Sequence, residues 1–166
     1  MNRDCDYEAV LEDYYSHIYG KDWKDVLNLL EAVEKLFDFD YMEGEKSADP
    51  AIGPFYDPAR APSFDRVFEL SARARALSLA HTVMPTRPQT VSWALLEYYA
   101  EYLERWAAVM KEKALGNDYR ALELIEEFKN EFGRHEIYIE RYYDHGLLGH
   151  ILGHVKKINK KQGIVW

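Results

Sequence analysis

Tyr142, Tyr143, Asp144 and His145, followed by Gly146, Gly149, His150, Gly153 and His154, gather rings, imidazoles and glycines into one short stretch of the chain. His150 and His154 are four residues apart, so a helix would project both from one face, within reach of a single metal ion. Two ligands do not make a site. His145 precedes His150 by five residues, about 140° around a helix of 3.6 residues per turn, and cannot join the pair without a bend in the chain. Asp144, His135 or a carboxylate from another element would have to complete the set. Short histidine spacings are common by chance, and half-buried or capping imidazoles account for these equally simply. No metal and no cofactor is expected, with His150 and His154 kept as the candidate ligands should an ion be bound.

The glycines carry a second signal. Leu147, Leu148, Ile151, Leu152 and Val155 fall on one arc of the helix, and Gly146, Gly149 and Gly153 on the opposite arc. Each interior glycine costs a helix about 1 kcal/mol relative to alanine. That cost is easiest to understand if another backbone or a ligand approaches closely; the alternative is a loose terminal helix.

Other candidate chemistry is thinner. Acid–base catalysis calls for a carboxylate pair across a cleft with separated pKa values. Glu43, Glu45, Asp49 and Asp57 share one segment, but solvated loop charge explains them as well. Ser92 and Cys5 lack a nucleophile signature, and no catalytic residue is assigned. Arg87, at a helix start, could recognise a carboxylate or form a salt bridge there. The chain holds 13 tyrosines, several in doublets: Tyr14-Tyr15, Tyr98-Tyr99 and Tyr142-Tyr143. Adjacent helical residues point about 100° apart, so one ring of each doublet can enter the core while the other sits at its rim. Rim rings together with Trp93 and Trp106 could form a platform for a sugar or a partner domain.

The elements that must position these residues read as helices throughout. Tyr7, Val10, Leu11, Tyr14, Tyr15 and Ile18 form a helical stripe stopped by Gly20. Asp22 is placed to cap a second helix carrying Trp23, Val26, Leu27, Leu30, Val33 and Phe37. Periodicity then disappears from Asp38 to Pro62, a proline-punctuated loop still carrying Tyr41, Met42, Phe55 and Tyr56. Loops of this length are usually functional or disordered, and the aromatics predict one packed either on its own bundle or against a neighbouring domain or ligand cleft. Ser63 is placed to cap a third helix reaching about Val83. Thr86 and Pro88 open a fourth that runs to Leu115 and stops at Gly116. Its stripe of Val91, Leu95, Tyr98, Tyr102 and Trp106, broadened by Leu96, Tyr99, Leu103 and Met110, makes it the hydrophobic spine. Asn117 or Asp118 caps a fifth helix through Leu122, Ile125, Phe128 and Phe132, with a continuation past Gly133 to Tyr143. A sixth covers about His145 to Ile158. The expectation is an all-α bundle of five or six helices with one long irregular loop, without strands or repeats.

At 166 residues the chain suits a single helical domain with a substantial core. Twenty-one basic residues against 29 acidic ones give a formal charge of -8, which argues against nucleic acid and anionic lipid as partners. Lys156, Lys157, Lys160 and Lys161 form the basic cluster, read as a solvated helix end. One cysteine cannot close an intramolecular disulfide, so a cytoplasmic setting is preferred, though a longer parent could be exported. Neither a membrane span nor a signal peptide is visible. Met1-Asn2-Arg3-Asp4 leads almost directly into a helix, as an excised segment with an added start codon would.

Four segments carry a family resemblance: Tyr14-Tyr15 through Tyr19-Gly20; Tyr41-Met42-Glu43-Gly44; Gln89-Thr90-Val91-Ser92-Trp93 with Leu96-Glu97-Tyr98-Tyr99; and Tyr142-Tyr143-Asp144-His145-Gly146. Together they resemble the helical C-terminal region of large bacterial glycoside-hydrolase-like proteins of uncharacterised family, similar in layout to α-glucuronidases and β-hexosaminidases. The resemblance implies a (β/α)₈ barrel elsewhere that carries the catalytic carboxylates. This chain would be its non-catalytic accessory domain, the C-terminal fragment of a larger protein, packing against the barrel or a homodimer mate with carbohydrate as a possible ligand. Tyr41, Glu43, Tyr56, Arg87, Gln89, Trp93, Tyr143, Asp144 and His145 are then the ligand or interface candidates. The alternative is a stand-alone ligand- or partner-binding or regulatory protein with a Tyr/Trp-rich groove. A small metal enzyme using His150 and His154 is the third reading. An exposed apolar patch would favour the first, and a closed concave pocket the second.

Overall fold

The computed structural model describes residues 6–156. Cys5, Lys157, Lys160, Lys161 and the expected end of the last helix at Ile158 lie outside them. The described residues are all-α, as the periodicity predicts, with no strand among them. No helix among them is long and apolar enough to cross a membrane.

Helix α1 (Tyr7–Tyr19) is capped by the Asp6 carboxylate, which accepts from the amides of Glu8 and Ala9, and ends at Gly20 with φ 69°. A 3₁₀ turn leads into α2 (Trp23–Glu34). Asp22 does not cap α2 through its side chain, contrary to expectation; its carboxylate lies 2.8 Å from Nε2 of His81 instead. Helix α2 also stops short of Phe37, because the amides of Leu36 and Phe37 turn back onto the carbonyls of Val33 and Glu34. The turn lets Phe37 pack against both hydrophobic clusters of the molecule.

The long loop contains a single helical turn, α3 (Phe39–Met42), capped by Asp38, and a 3₁₀ turn at Pro58–Arg60. It packs on its own bundle. Tyr41 and Phe55 are buried, Ser47 Oγ donates to the carbonyls of Gly53 and Tyr56, and the Asp57 amide donates to the carbonyl of Ala114.

Helix α4 (Ala61–Leu79) starts two residues before Ser63, which therefore lies inside it and caps nothing. Pro62 fits that first turn because it needs no amide bond there. The helix ends at Leu79, and Val83, expected within it, is exposed in the following turn. Thr86 caps α5 (Arg87–Leu115) by accepting from the Gln89 amide, and Gly116, with φ 82°, closes it. In α6 (Asp118–Gly133) the side chain of Asn117 makes no cap bond; it donates to Glu112. Asp118, at the first position of α6, is buried in an ion pair with Lys113. Helix α6 does not run on to Tyr143. The amides of Arg134 and His135 fold back onto Glu131 and Phe132, a short α7 (Glu136–Ile139) follows, and Ile139 is buried in the core. Asp144 then caps α8 (His145–Val155) by accepting from the Leu147 amide.

Helices α4 and α5 form an antiparallel hairpin. Ser78 Oγ donates to the carbonyl of Trp93 near the connecting loop, and Ser71 Oγ to that of Ala100 farther along, both at 2.7 Å. Helix α5 is the spine. Its N-terminal half builds one cluster with α2 and α4 around Leu29, Leu70, Trp93 and Leu103. Its C-terminal half builds a second with α6, α8 and the loop anchors around Trp106, Met110, Phe128 and Leu152.

Candidate functional site

The break after α6 opens a groove beside the spine. Leu95, Tyr98, Tyr99 and Tyr102 project from α5, Phe132 from the end of α6, Ile139 from α7, and Tyr142 and Tyr143 from the turn before α8, enclosing about 190 Å³. The rings meet at steep angles. Tyr102 and Tyr143 have centroids 5.7 Å apart at 61°, and Phe132 and Tyr143 lie 5.3 Å apart at 72°. Such edge-to-face contacts set the negative face of one ring against the positive edge of another. Burial raises the phenol pKa values of Tyr99, Tyr102 and Tyr143; that of Tyr98 rises through burial and then through the charge of Glu97.

Large apolar side chains are exposed on the segments that carry its lining: Ile137 and Tyr138 are 75% and 72% exposed, and Tyr142 and Leu147 are 58% and 55% exposed. All four fall within residues 137–147, on consecutive short elements.

A larger groove of about 520 Å³ runs along α4, α5 and α6, lined by Phe68, Arg75, Glu97, Glu101, Glu104, Arg105 and Glu127 among others. Most of its charges are already paired. Arg75 meets Glu104 at 2.6 Å, Arg105 meets Glu101 at 2.8 Å, and Nε2 of His135 lies 2.9 Å from the second oxygen of Glu101.

The candidates taken from sequence divide into three groups. Tyr143 and Asp144 belong to the groove region, Tyr143 as lining and Asp144 as the cap of α8. His145 packs beside the helix break, where a Cβ on Gly133 would lie 3.3 Å from its ring. Tyr41, Glu43 and Tyr56 are loop anchors. Tyr41 is buried and donates to the Phe55 carbonyl at 2.7 Å, with Arg60 stacked over its ring at 4.4 Å. Tyr56 packs on Gly116, and Glu43 offers its backbone carbonyl to His154 at 2.9 Å. At the start of α5, Arg87 is exposed, while Gln89 Nε2 donates to the carbonyl of His17 and ties α1 to the bundle.

Two expectations are corrected. Trp93 and Trp106 form no platform, since both are buried. Trp93 is stacked on His81 at 3.9 Å and meets Tyr19 edge-on at 5.1 Å, and its indole nitrogen is buried without a partner among the described residues. Nor do two of the three glycines of α8 receive a close neighbour: a Cβ at Gly149 or Gly153 would meet no described atom within 4 Å, and one at Gly146 would meet only the carboxylate of its own cap, Asp144, at 3.1 Å. The histidine pair assembles no ligand set either. His154 is turned to Glu43, His150 is exposed, and no cluster of three His, Cys, Asp or Glu able to hold a metal occurs among the described residues.

The groove tyrosines of α5 were missed as site residues. Leu95, Tyr98, Tyr99 and Tyr102 have the spacing of an ordinary core stripe, and only the helix break after Gly133 leaves part of that stripe uncovered. Comparison with protein-family models, with curated proteins and with solved structures finds no match to this chain.

Proposed function

We propose that this chain is a non-catalytic helical docking module whose working face is the tyrosine groove and the apolar ridge beside it. The observation that carries the reading is the run of large apolar side chains at Ile137, Tyr138, Tyr142 and Leu147, each more than half exposed. Large apolar side chains exposed in such number over so short a stretch support a partner site. The ring-rich, hydroxyl-tipped character of the groove is also typical of interface centres, where Tyr contributes area at small entropic cost.

The sequence resemblance supplies one identity for the partner: the catalytic barrel of a glycoside-hydrolase-like protein, with this chain as its accessory domain. A homodimer mate would use the same face. The alternative, a stand-alone binding or regulatory protein, is supported by the groove itself, which is lined by Tyr and Phe without Trp. In-frame sequence of barrel size upstream of Asn2 in the gene would favour the accessory domain, and a genuine start at Met1 the stand-alone protein. The docking face is tested directly by replacing Tyr138 and Leu147 with glutamate. Both are exposed, so folding should be retained. If the face is used, the chain exchanges self-association, or association with its upstream region supplied as a separate chain, for a monomeric state in sedimentation. Unchanged association would overturn the reading.

A further inference from the structure

The chemistry of the groove narrows what it can receive, given the docking reading on which this step rests. A space of about 190 Å³ holds one side-chain head rather than a helix, so the ridge must meet the body of the partner while the groove takes a single group. Aromatic faces carry negative potential and attract cations, guanidinium groups above all because they also stack.

The surrounding charge has the same sign. Glu97 and Glu101, which line the neighbouring larger groove, stand close enough to Tyr98 to add to the rise that burial gives its pKa, and Asp144 adds to that of Tyr143 after burial and Tyr102. Glu136 and Glu140 bracket the lining residue Ile139 in sequence. Glu101 is held by Arg105 and His135. Among the described residues no ion pair engages Glu97, Glu136 or Glu140. Of the basic side chains near in sequence, His135 is engaged by Glu101 and Arg134 by Glu131, and Arg141 is exposed beside Tyr142.

We propose that the tyrosine groove receives an arginine side chain from a basic segment of the partner protein, with the exposed ridge covering the apolar residues that flank that arginine. The guanidinium lies among the tyrosine rings and within the field of Glu97, Glu136 and Glu140.

The test uses three short peptides of alternating leucine and a variable residue: arginine, its uncharged isostere citrulline, or lysine. Each is titrated into the folded chain while the tyrosine ring resonances are followed by NMR. The arginine peptide should shift groove resonances saturably and bind about tenfold more tightly than the citrulline peptide, a difference within the range of a partly desolvated cation–π contact. Lysine should fall between them. Tyr142→Ala, at an exposed position that folding does not need, and Glu97→Gln should each weaken the arginine peptide selectively. Equal binding of the arginine and citrulline peptides would overturn the cation assignment and leave an apolar docking face standing. Shifts confined to residues outside the groove, or no binding by any peptide, would also overturn it, and the docking face would then rest on the sedimentation result alone.

Discussion

The Tyr41 hydroxyl, buried with its ring, donates to the carbonyl of Phe55 at 2.7 Å and so ties the start of the long loop to its middle. Tyr41→Phe keeps the ring and removes the donor, leaving that carbonyl unpaired in the core. The expected cost is about 1–2 kcal/mol, read as a lower urea midpoint with the slope unchanged. Tyr19 gives a prediction with a pH sign. Burial, and after it the neighbouring Tyr15 and Tyr14, push its pKa from 10.0 up to about 12. Below pH 10 both folded and unfolded chains hold the proton, so the shift has no effect. Between pH 10 and 12 the unfolded chain releases a proton that the folded chain keeps, and stability falls by at most about 1.4 kcal/mol per pH unit for one such group. Burial raises Tyr41 and Tyr143 in the same direction, so the loss should be steeper than one group allows. Thermal melts across this range should fall together with the appearance of phenolate absorbance. A melting temperature that stays level past pH 11 would contradict the burial of these phenols.

At the scale of elements, glycine acts in two opposite ways. Gly116 ends α5 with φ 82°, and a Cβ there would also meet the Tyr56 ring at 3.2 Å. Gly116→Ala therefore forces a side chain into the left-handed region and against a packed ring, and should cost about 1–2 kcal/mol. Gly149 lies inside α8, with no described atom within 4 Å of the Cβ position. Gly149→Ala should raise stability by about 0.5–1 kcal/mol, the ordinary helix-propensity difference. The pair is checked by chemical denaturation of the two variants, and a destabilised Gly149→Ala would restore the idea of a close neighbour at that face. Sequence alone could not separate these cases. The stop at Gly116 was legible because a glycine follows a long apolar period and precedes a new one. The open face of α8 was not, since pattern shows which residues share an arc but not what stands opposite it. The misplaced caps at Asp22 and Ser63 have a related cause: each lies beside a helix start, but Asp22 is drawn to His81, 59 positions away, and Pro62 moves the start of α4 forward.

For the whole molecule, the all-α class, the spine and the stripes of α2, α4, α5 and α6 could be read from period 3.6, because burial imposes that period on sequence, whereas the short helices α3 and α7 could not. The groove could not, since it exists only where α6 breaks and α7 and α8 fold back across a stripe that looks continuous. The same spine decides how the molecule should unfold. Trp93 belongs to the cluster of α2, α4 and the first half of α5, and Trp106 to the cluster of α6, α8 and the second half. Phe37, Phe64 and Tyr102 pack against both, and the 29 residues of α5 run unbroken through the two. Losing either cluster would expose the apolar face of a helix that the other needs, so neither half has an independent folded state. In a variant with Trp23 and Trp166 replaced by Phe, the indole resonances of Trp93 and Trp106, followed in the same sample, should give urea curves that coincide once normalised. Leu103→Ala, which opens a cavity in the first cluster and costs about 2–5 kcal/mol, should move the Trp106 curve as far as the Trp93 curve. Helix α1 contributes no fully buried residue, only the partly buried Tyr19 against Trp93 at its end and contacts such as Gln89 to His17, so its amides before that end should exchange with solvent at far lower free energy than those of α5. Separate midpoints for the two tryptophans would mean that the clusters fold as distinct units and that α5 merely connects them.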